Sequence, residues 1–206
     1  MTDSRAMTSD SERIIDLYRR HAYARASDRG NRLIEAAWLD SFRSLVPDGT
    51  AILDIGCGSG QPMARYLIKQ GHSVTGIDSS PEMIALCRAH FPGGDWRVCD
   101  MRALALGETF GGIIAWDSFF HLDHDAQRAM FPIFRKHAAP HAALLFTSGP
   151  RHGEAIGELH GEPLYHASLD AEEYRTLRGA NGFQTVAHIV EDPTCGRHTV
   201  WLAQLR

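Results

Sequence analysis

Long apolar runs are missing from this chain: nothing in its 206 residues approaches the roughly 18 consecutive apolar positions that a membrane helix requires. The start, MTDSRAMTSDSER, also lacks the basic-then-apolar pattern of an export signal, and the two absences together point to a cytoplasmic protein. Excess positive charge is missing too. With 21 Lys and Arg against 25 Asp and Glu, a formal charge of -4 offers no general attraction to phosphate backbones or anionic lipid, so neither nucleic acid nor membrane is an expected partner. Cysteine is sparse. Cys57, Cys87, Cys99 and Cys195 form no Cys-x-x-Cys pair and no zinc-like spacing, which argues against a disulfide framework and against a metal set. No repeat, low-complexity tract or linker divides residues 1–206, so one domain is expected, as a monomer or homodimer.

What is present is an alternation of short apolar runs with helical patterns. Residues 1–12 are polar and read as disordered, and residues 13–47 read as two helices. Ile14, Leu17 and Tyr18 mark the first; Leu33, Ile34, Ala37, Trp38, Leu39 and Phe42 mark the second, with SDRGN breaking them apart. From residue 51 onward, strands are predicted at 51–55, 73–78, 96–99, 111–116, 142–147, 183–190 and 198–204. Helices are predicted at 62–70, 81–90, 125–137 and 170–180, with a loop or short helix at 101–106. Strand–helix alternation implies right-handed crossovers and a doubly wound parallel sheet. The last two strands are separated only by EDPTCGR, too short for a helical crossover, so they should form an antiparallel hairpin. The expected fold is therefore α/β: a seven-stranded, mostly parallel sheet over residues 51–206, an antiparallel C-terminal pair, and a helical N-terminal extension.

The stretch AILDIGCGSGQP places Gly56, Gly58 and Gly60 in the first strand-to-helix turn, where open α/β sheets bind ligands. Without Cβ atoms, these residues can take positive φ and let a ligand approach the main chain. The dinucleotide pattern G-x-G-x-x-G/A is not met, because its last glycine position falls on Gln61. Carboxylates follow three successive strands. Asp54 precedes the glycines, where it would suit a ligand's ammonium and repel a pyrophosphate. Asp78, in GIDSS, can accept from ribose hydroxyls or, alternatively, cap the next helix, a role open to Ser79 and Ser80 as well. Asp100, in CDMRAL, can accept from an adenine amino group beside Met101 or serve as an ordinary turn residue. A glycine turn with three such carboxylates describes a pocket for adenosine joined to a zwitterionic amino acid, which is S-adenosylmethionine.

The motifs LDIGCGSG, GIDSSPEM and CDMRAL, in this order, resemble the cofactor motifs of class I S-adenosylmethionine-dependent methyltransferases of the small-molecule type, with their Rossmann-like fold. That resemblance implies that Gly56, Cys57, Gly58 and Gly60 line the methionine part of the cofactor. It also implies that Asp78 holds the ribose with Ser79 and Met83 nearby, and that Asp100 and Met101 frame the adenine. The fourth strand ends in IIAWDSFFHLDHD. Trp116 there is expected either to face the sulfonium or to pack in the core, and Asp117 and His121 are the candidate catalytic groups, His121 as the base. Acceptor contacts are expected from Tyr18, Trp38 and Phe120, and from Arg151, His152, Tyr165 and His166 in or near a long loop that reads as a lid.

DNA-adenine and protein-glutamine methyltransferases would carry Asn/Asp-Pro-Pro-Tyr where this chain has Asp117-Ser-Phe-Phe, so a small-molecule oxygen or nitrogen is the expected acceptor. Two other readings stand beside this one. A non-catalytic module binding S-adenosylmethionine or S-adenosylhomocysteine would keep every cofactor motif. An NAD(P)-dependent oxidoreductase would share the sheet and Asp78, but has Gln61 and Asp54 against it.

Overall fold

The computed structural model describes residues 10–206, with side chains from residue 13 onward. Residues 1–9 lie outside the described residues, and the expectation of disorder there goes with them. Asp10 to Glu12 are helical, so disorder does not reach Glu12. The first helix, α1 (Asp10–Arg29), ends where Gly30 takes a φ of +54°, and α2 (Ala36–Arg43) follows. Gly30 and Asn31 make the break anticipated at SDRGN.

The main sheet runs β1 (Ile52–Ile55), β2 (Val74–Asp78), β3 (Asp95–Val98), β4 (Phe110–Ala115), β5 (Ala138–Ser148), β8 (Phe183–Asp192) and β9 (His198–Leu205) in chain order. In space the order is β3-β2-β1-β4-β5-β9-β8. The pairs among β1 to β5 are parallel, whereas β9 runs antiparallel to both β5 and β8. Strand order reverses between β1 and β4, so the ends of these two strands flank the crevice. The helices α3 (Met63–Lys69), α4 (Pro81–His90), α5 (His124–His137) and α6 (Ala171–Ala180) cover the sheet.

Apolar side chains fill both sides of the sheet. One side holds Phe119, Phe131, Phe134, Phe146, Tyr174 and Trp201, the other Phe42, Ile52, Leu67, Ile114 and Leu145. Polar groups set the helix starts. Ser80 caps α4 by accepting from the Met83 amide with Pro81 as first helical residue, and Asp123 caps α5 by accepting from Ala126.

The predicted long loop after β5 is not structureless. It folds into an antiparallel hairpin, β6 (Gly153–Leu159) and β7 (Glu162–Ser168), separate from the main sheet. Only His160 and Gly161 lie between the strands, with φ of +52° and +82°. Positive φ at both central residues is the two-residue turn whose twist suits a hairpin. β6 is mostly exposed and lacks the apolar alternation that marks a half-buried strand in sequence, while β7 buries Tyr165, Ala167 and Ser168.

Candidate functional site

The cleft lies beyond the ends of β1, β2 and β4 and is walled on its open side by α1. Its floor is the glycine turn. Gly56 and Gly58 have φ of +74° and +54°. A Cβ at Gly56 would meet the Ser118 side chain at 2.3 Å, while a Cβ at Gly58 would enter open space, which leaves room for a ligand against the main chain. Ser118 in turn donates to the Ile55 carbonyl at 2.7 Å, tying the end of β4 to the end of β1.

Asp78 is not the helix cap. One carboxylate oxygen accepts from the Gly58 amide at 2.9 Å and the other from the Ser80 amide at 2.8 Å, so the side chain locks the glycine turn to the end of β2. Burial raises its pKa, and the two amide donors oppose that rise. Asp54 is 4% exposed, and burial pushes its carboxyl up to about 7, with the Asp78 charge adding to the effect. Asp100 lines the cleft and also caps the short 3-10 turn Met101–Ala103, accepting from the Arg102 amide at 2.9 Å and pairing with its guanidinium at 2.6 Å. Burial would raise its pKa, but the bonds to Arg102 outweigh that and leave it lowered. Asp100 is thus the turn residue that was one of its two anticipated roles, and it also lies on the cleft wall.

Cys57, Ser79, Met83, Met101 and Trp116 all line the cleft. Cys57 lies with its sulfur 3.9 Å from that of Cys87, and burial raises its thiol pKa, so it is a small wall residue and no nucleophile. Trp116 is 5% exposed and its indole Nε1 has no hydrogen-bond partner. Gly60 faces the opposite side of the turn, where a Cβ would meet the Phe91 ring at 2.9 Å; its glycine serves packing rather than the cleft.

A side pocket opens from the cleft, and Tyr18, Arg25, Asp117 and His121 line both. Phe120 and His166 lie in this side pocket, packed on His121 with ring centroids 4.8 and 4.9 Å away. His121 is buried, with Nδ1 2.8 Å from the Tyr165 carbonyl and Nε2 2.9 Å from the Tyr18 hydroxyl. A carbonyl only accepts, so Nδ1 carries the proton and Nε2 accepts from Tyr18. Burial pulls the His121 pKa down to about 4, which keeps the ring neutral. Arg25 lies beside the Tyr18 hydroxyl.

Four expected acceptor contacts fall elsewhere. Trp38 is buried beneath the site and donates to Asp192 at 2.8 Å, so its indole joins α2 to the β8–β9 turn. Arg151 is exposed at the surface. His152 stacks on His124 at 4.6 Å, outside both cavities. Tyr165 is buried, its hydroxyl bonded to Glu154 at 2.8 Å; its link to the site is the carbonyl that holds His121. Among the described residues no group of three His, Cys, Asp or Glu could hold a metal. No helix among them is long and apolar enough to cross a membrane.

Sequence reasoning missed His198 as a pocket residue. Its Nδ1 bonds the Cys195 carbonyl rather than the thiol, at 2.6 Å, and its Nε2 lies 2.9 Å from Asp117. Arg29 and Ile15 of α1 were missed as well. The spacing of α1 had marked Ile14, Leu17 and Tyr18, of which Ile14 and Tyr18 line the cleft.

Residues 52–141 match the family model described as a methyltransferase domain. The chain is 30% identical over 96 residues to the dTDP-3-amino-3,6-dideoxy-alpha-D-glucopyranose N,N-dimethyltransferase of Streptomyces fradiae. It is 43% identical over 53 residues to the ubiquinone biosynthesis O-methyltransferase of Xylella fastidiosa. These matches take in 46% and 25% of this chain but only 37% and 21% of those relatives. CalS10, an amino pentose methyltransferase of Micromonospora echinaspora solved with S-adenosylmethionine bound, superposes with a TM-score of 0.70 at 21% identity, covering 89% of this chain and 96% of that one. Motifs, matched segment and architecture agree. Residues 52–141 match a methyltransferase domain, and the chain has the Rossmann-like fold seen in S-adenosylmethionine-dependent methyltransferases.

Proposed function

We propose that the protein transfers a methyl group from S-adenosylmethionine to an oxygen or nitrogen of a small molecule by in-line displacement. One arrangement carries this reading: three carboxylates, Asp54, Asp78 and Asp100, surround a cleft floored by open glycine main chain, and that cleft leads into a side pocket at Asp117 and His121. The residues fit the cofactor. Asp54 suits the ammonium, Asp78 the ribose hydroxyls and Asp100 the adenine amino group, while Gly58 leaves the main chain accessible. The sulfonium supplies an activated methyl group. This chain supplies alignment of the acceptor and exclusion of water, with α1 and the β6–β7 hairpin closing the open side.

His121 serves better as an orienting group than as a base. Its lone pair is already engaged by Tyr18, and a pKa near 4 leaves it a poor proton acceptor at neutral pH. The Tyr18 hydroxyl, fixed by His121, then faces the acceptor. Tyr18→Phe and His121→Ala should lower turnover by similar factors; a loss confined to His121→Ala would restore His121 as the base.

The proposal as a whole is tested by calorimetric titration with S-adenosylmethionine and S-adenosylhomocysteine, with NAD and NADP as controls, followed by a methylation screen of metabolites. Binding of the first pair alone and a methylated product support it. Binding without any product would favour a non-catalytic module, and binding of a nicotinamide cofactor alone would overturn it.

A further inference from the structure

Asp117 is where cleft and side pocket meet, and its surroundings are built to hold it there. It follows β4 with a φ of +50°, a left-handed backbone rare for residues other than glycine and easiest for Asn and Asp. The Thr147 hydroxyl receives its amide at 3.0 Å. From the other end of the chain, the first residue of β9 reaches it: His198 Nε2 lies 2.9 Å from Asp117 Oδ1, off the axis of a hydrogen bond and so as an ion pair.

The protonation state of that pair follows from its partners. His198 Nδ1 is 2.6 Å from the Cys195 carbonyl, which only accepts, so Nδ1 carries a proton. Nε2 faces a carboxylate oxygen, which also only accepts, so the ring is an imidazolium. The Asp117 carboxylate holds the His198 pKa above its ordinary value, with Glu35 adding to the effect, although burial opposes it. His198, behind Asp117, therefore sets the direction of that carboxylate. Asp28 and Glu158 add two further carboxylates to the side pocket, against the cations Arg25 and His198.

We infer that the acceptor atom is an amine nitrogen received by Asp117, with His198 as the positioning residue for that carboxylate. The inference rests on the methyl-transfer reading above and narrows it. The acceptor enters as the free amine, its ammonium proton left in the solvent; in the displacement, the nitrogen lone pair then forms the N–C bond, the C–S bond breaks with its electron pair passing to sulfur, and the positive charge moves from sulfur to nitrogen. The new ammonium then releases its proton to water. A carboxylate fixed beside the nitrogen stabilises that charge as it arrives, without reorganising. An alcohol would have to lose its proton as the bond forms, and His121, the histidine shared by cleft and side pocket, is a low-affinity ring already bonded to Tyr18.

Sinefungin tests this without knowledge of the acceptor. It carries an amine-bearing carbon in place of the methylated sulfur, so its ammonium marks the site of transfer, and S-adenosylhomocysteine lacks that group. Calorimetric titration of the full chain with both should show sinefungin binding about tenfold more tightly, the scale of one charge-assisted hydrogen bond. In Asp117→Asn, which suits the left-handed backbone, the affinity ratio should fall to near one; in His198→Gln it should fall several-fold. Structural damage weakens both ligands together and cancels in the ratio. A ratio unchanged in Asp117→Asn would overturn the amine assignment, and one unchanged in His198→Gln would remove His198 as the positioning residue. Failure of either ligand to bind the unmodified protein would instead overturn the methyl-transfer reading.

Discussion

The two walls of the cleft are built differently. The inner wall, from β1, β2 and β4, is made of buried main chain: Gly56 and Cys57 both donate to the Ile77 carbonyl, at 2.8 and 2.9 Å, and Asp78 ties Gly58 to Ser80. The outer wall, α1 with the β6–β7 hairpin, is joined largely by side-chain ion pairs. Glu162 meets Arg20 at 2.5 Å and His21 at 2.6 Å, and Asp28 meets His160 at 3.1 Å, with the His21 and His160 rings stacked between them. The apolar seam of this wall is small: Ile14, Tyr165 and Ala167, with Tyr18 and Leu164 against them. Solvent-exposed pairs of this kind contribute little each, whereas buried polar bonds are costly to lose. The inner wall is thus a rigid cradle, and the outer wall is the part able to open.

The largest effect should come from the cradle. Asp78→Ala leaves the Gly58 and Ser80 amides without their acceptor and removes the contact proposed for the ribose. We expect S-adenosylhomocysteine affinity to fall by roughly 2–3 kcal/mol, the scale of a lost charge-assisted hydrogen bond with its stranded partners. Calorimetry showing unchanged affinity would mean that the carboxylate only braces the turn.

Asp54 should give a smaller, pH-dependent effect. Its carboxyl is raised to about 7, so the folded protein without ligand still holds this proton well above the ordinary carboxylate range, and burial of the charged form costs stability as pH rises towards 7. An ammonium placed beside it favours the charged form and expels the proton. Binding of S-adenosylhomocysteine near pH 6 should therefore release about one proton, seen as an enthalpy that depends on the buffer, and the release should fade above pH 8. In Asp54→Asn the buffer dependence should vanish. If it persists, another group is titrating.

The same contrast explains what the sequence disclosed. Strand runs such as ILDI and the glycine turn are dictated by local chemistry, and the antiparallel pairing of the last two strands followed from the length of their connection, whereas the order of strands in the sheet came from the structure. Asp78 showed the limit of that reasoning. Capping and ligand roles were both open from GIDSS, and only the structure assigns the cap to Ser80 and the carboxylate to the turn. The outer wall was less legible. Strand β6 of the hairpin is mostly exposed and so carries no apolar period, and the clasp at Glu162 joins residues more than a hundred positions apart. His198 escaped for the same reason, since its partner Asp117 follows a strand distant in sequence.

The smallest effect belongs to the clasp. Glu162→Gln removes the charge that Arg20 and His21 share but leaves the hairpin ladder and the Tyr165 carbonyl bond to His121 in place. The thermal midpoint should barely move, because the core clusters on both sides of the main sheet are untouched. Hydrogen exchange should instead quicken in the amides of β6 and β7 and in the facing turns of α1, with the central strands unchanged. In the unmodified protein, bonds from His21 and then Arg20 lower the Glu162 pKa below its ordinary 4.5. The clasp is therefore fully formed above that range and is lost as pH falls through the lowered value, where exchange in the unmodified hairpin should approach that of Glu162→Gln. Equal exchange in the two proteins at neutral pH would mean that the apolar seam at Ile14 and Tyr165 holds the outer wall by itself, and that the two walls differ less in rigidity than their construction implies.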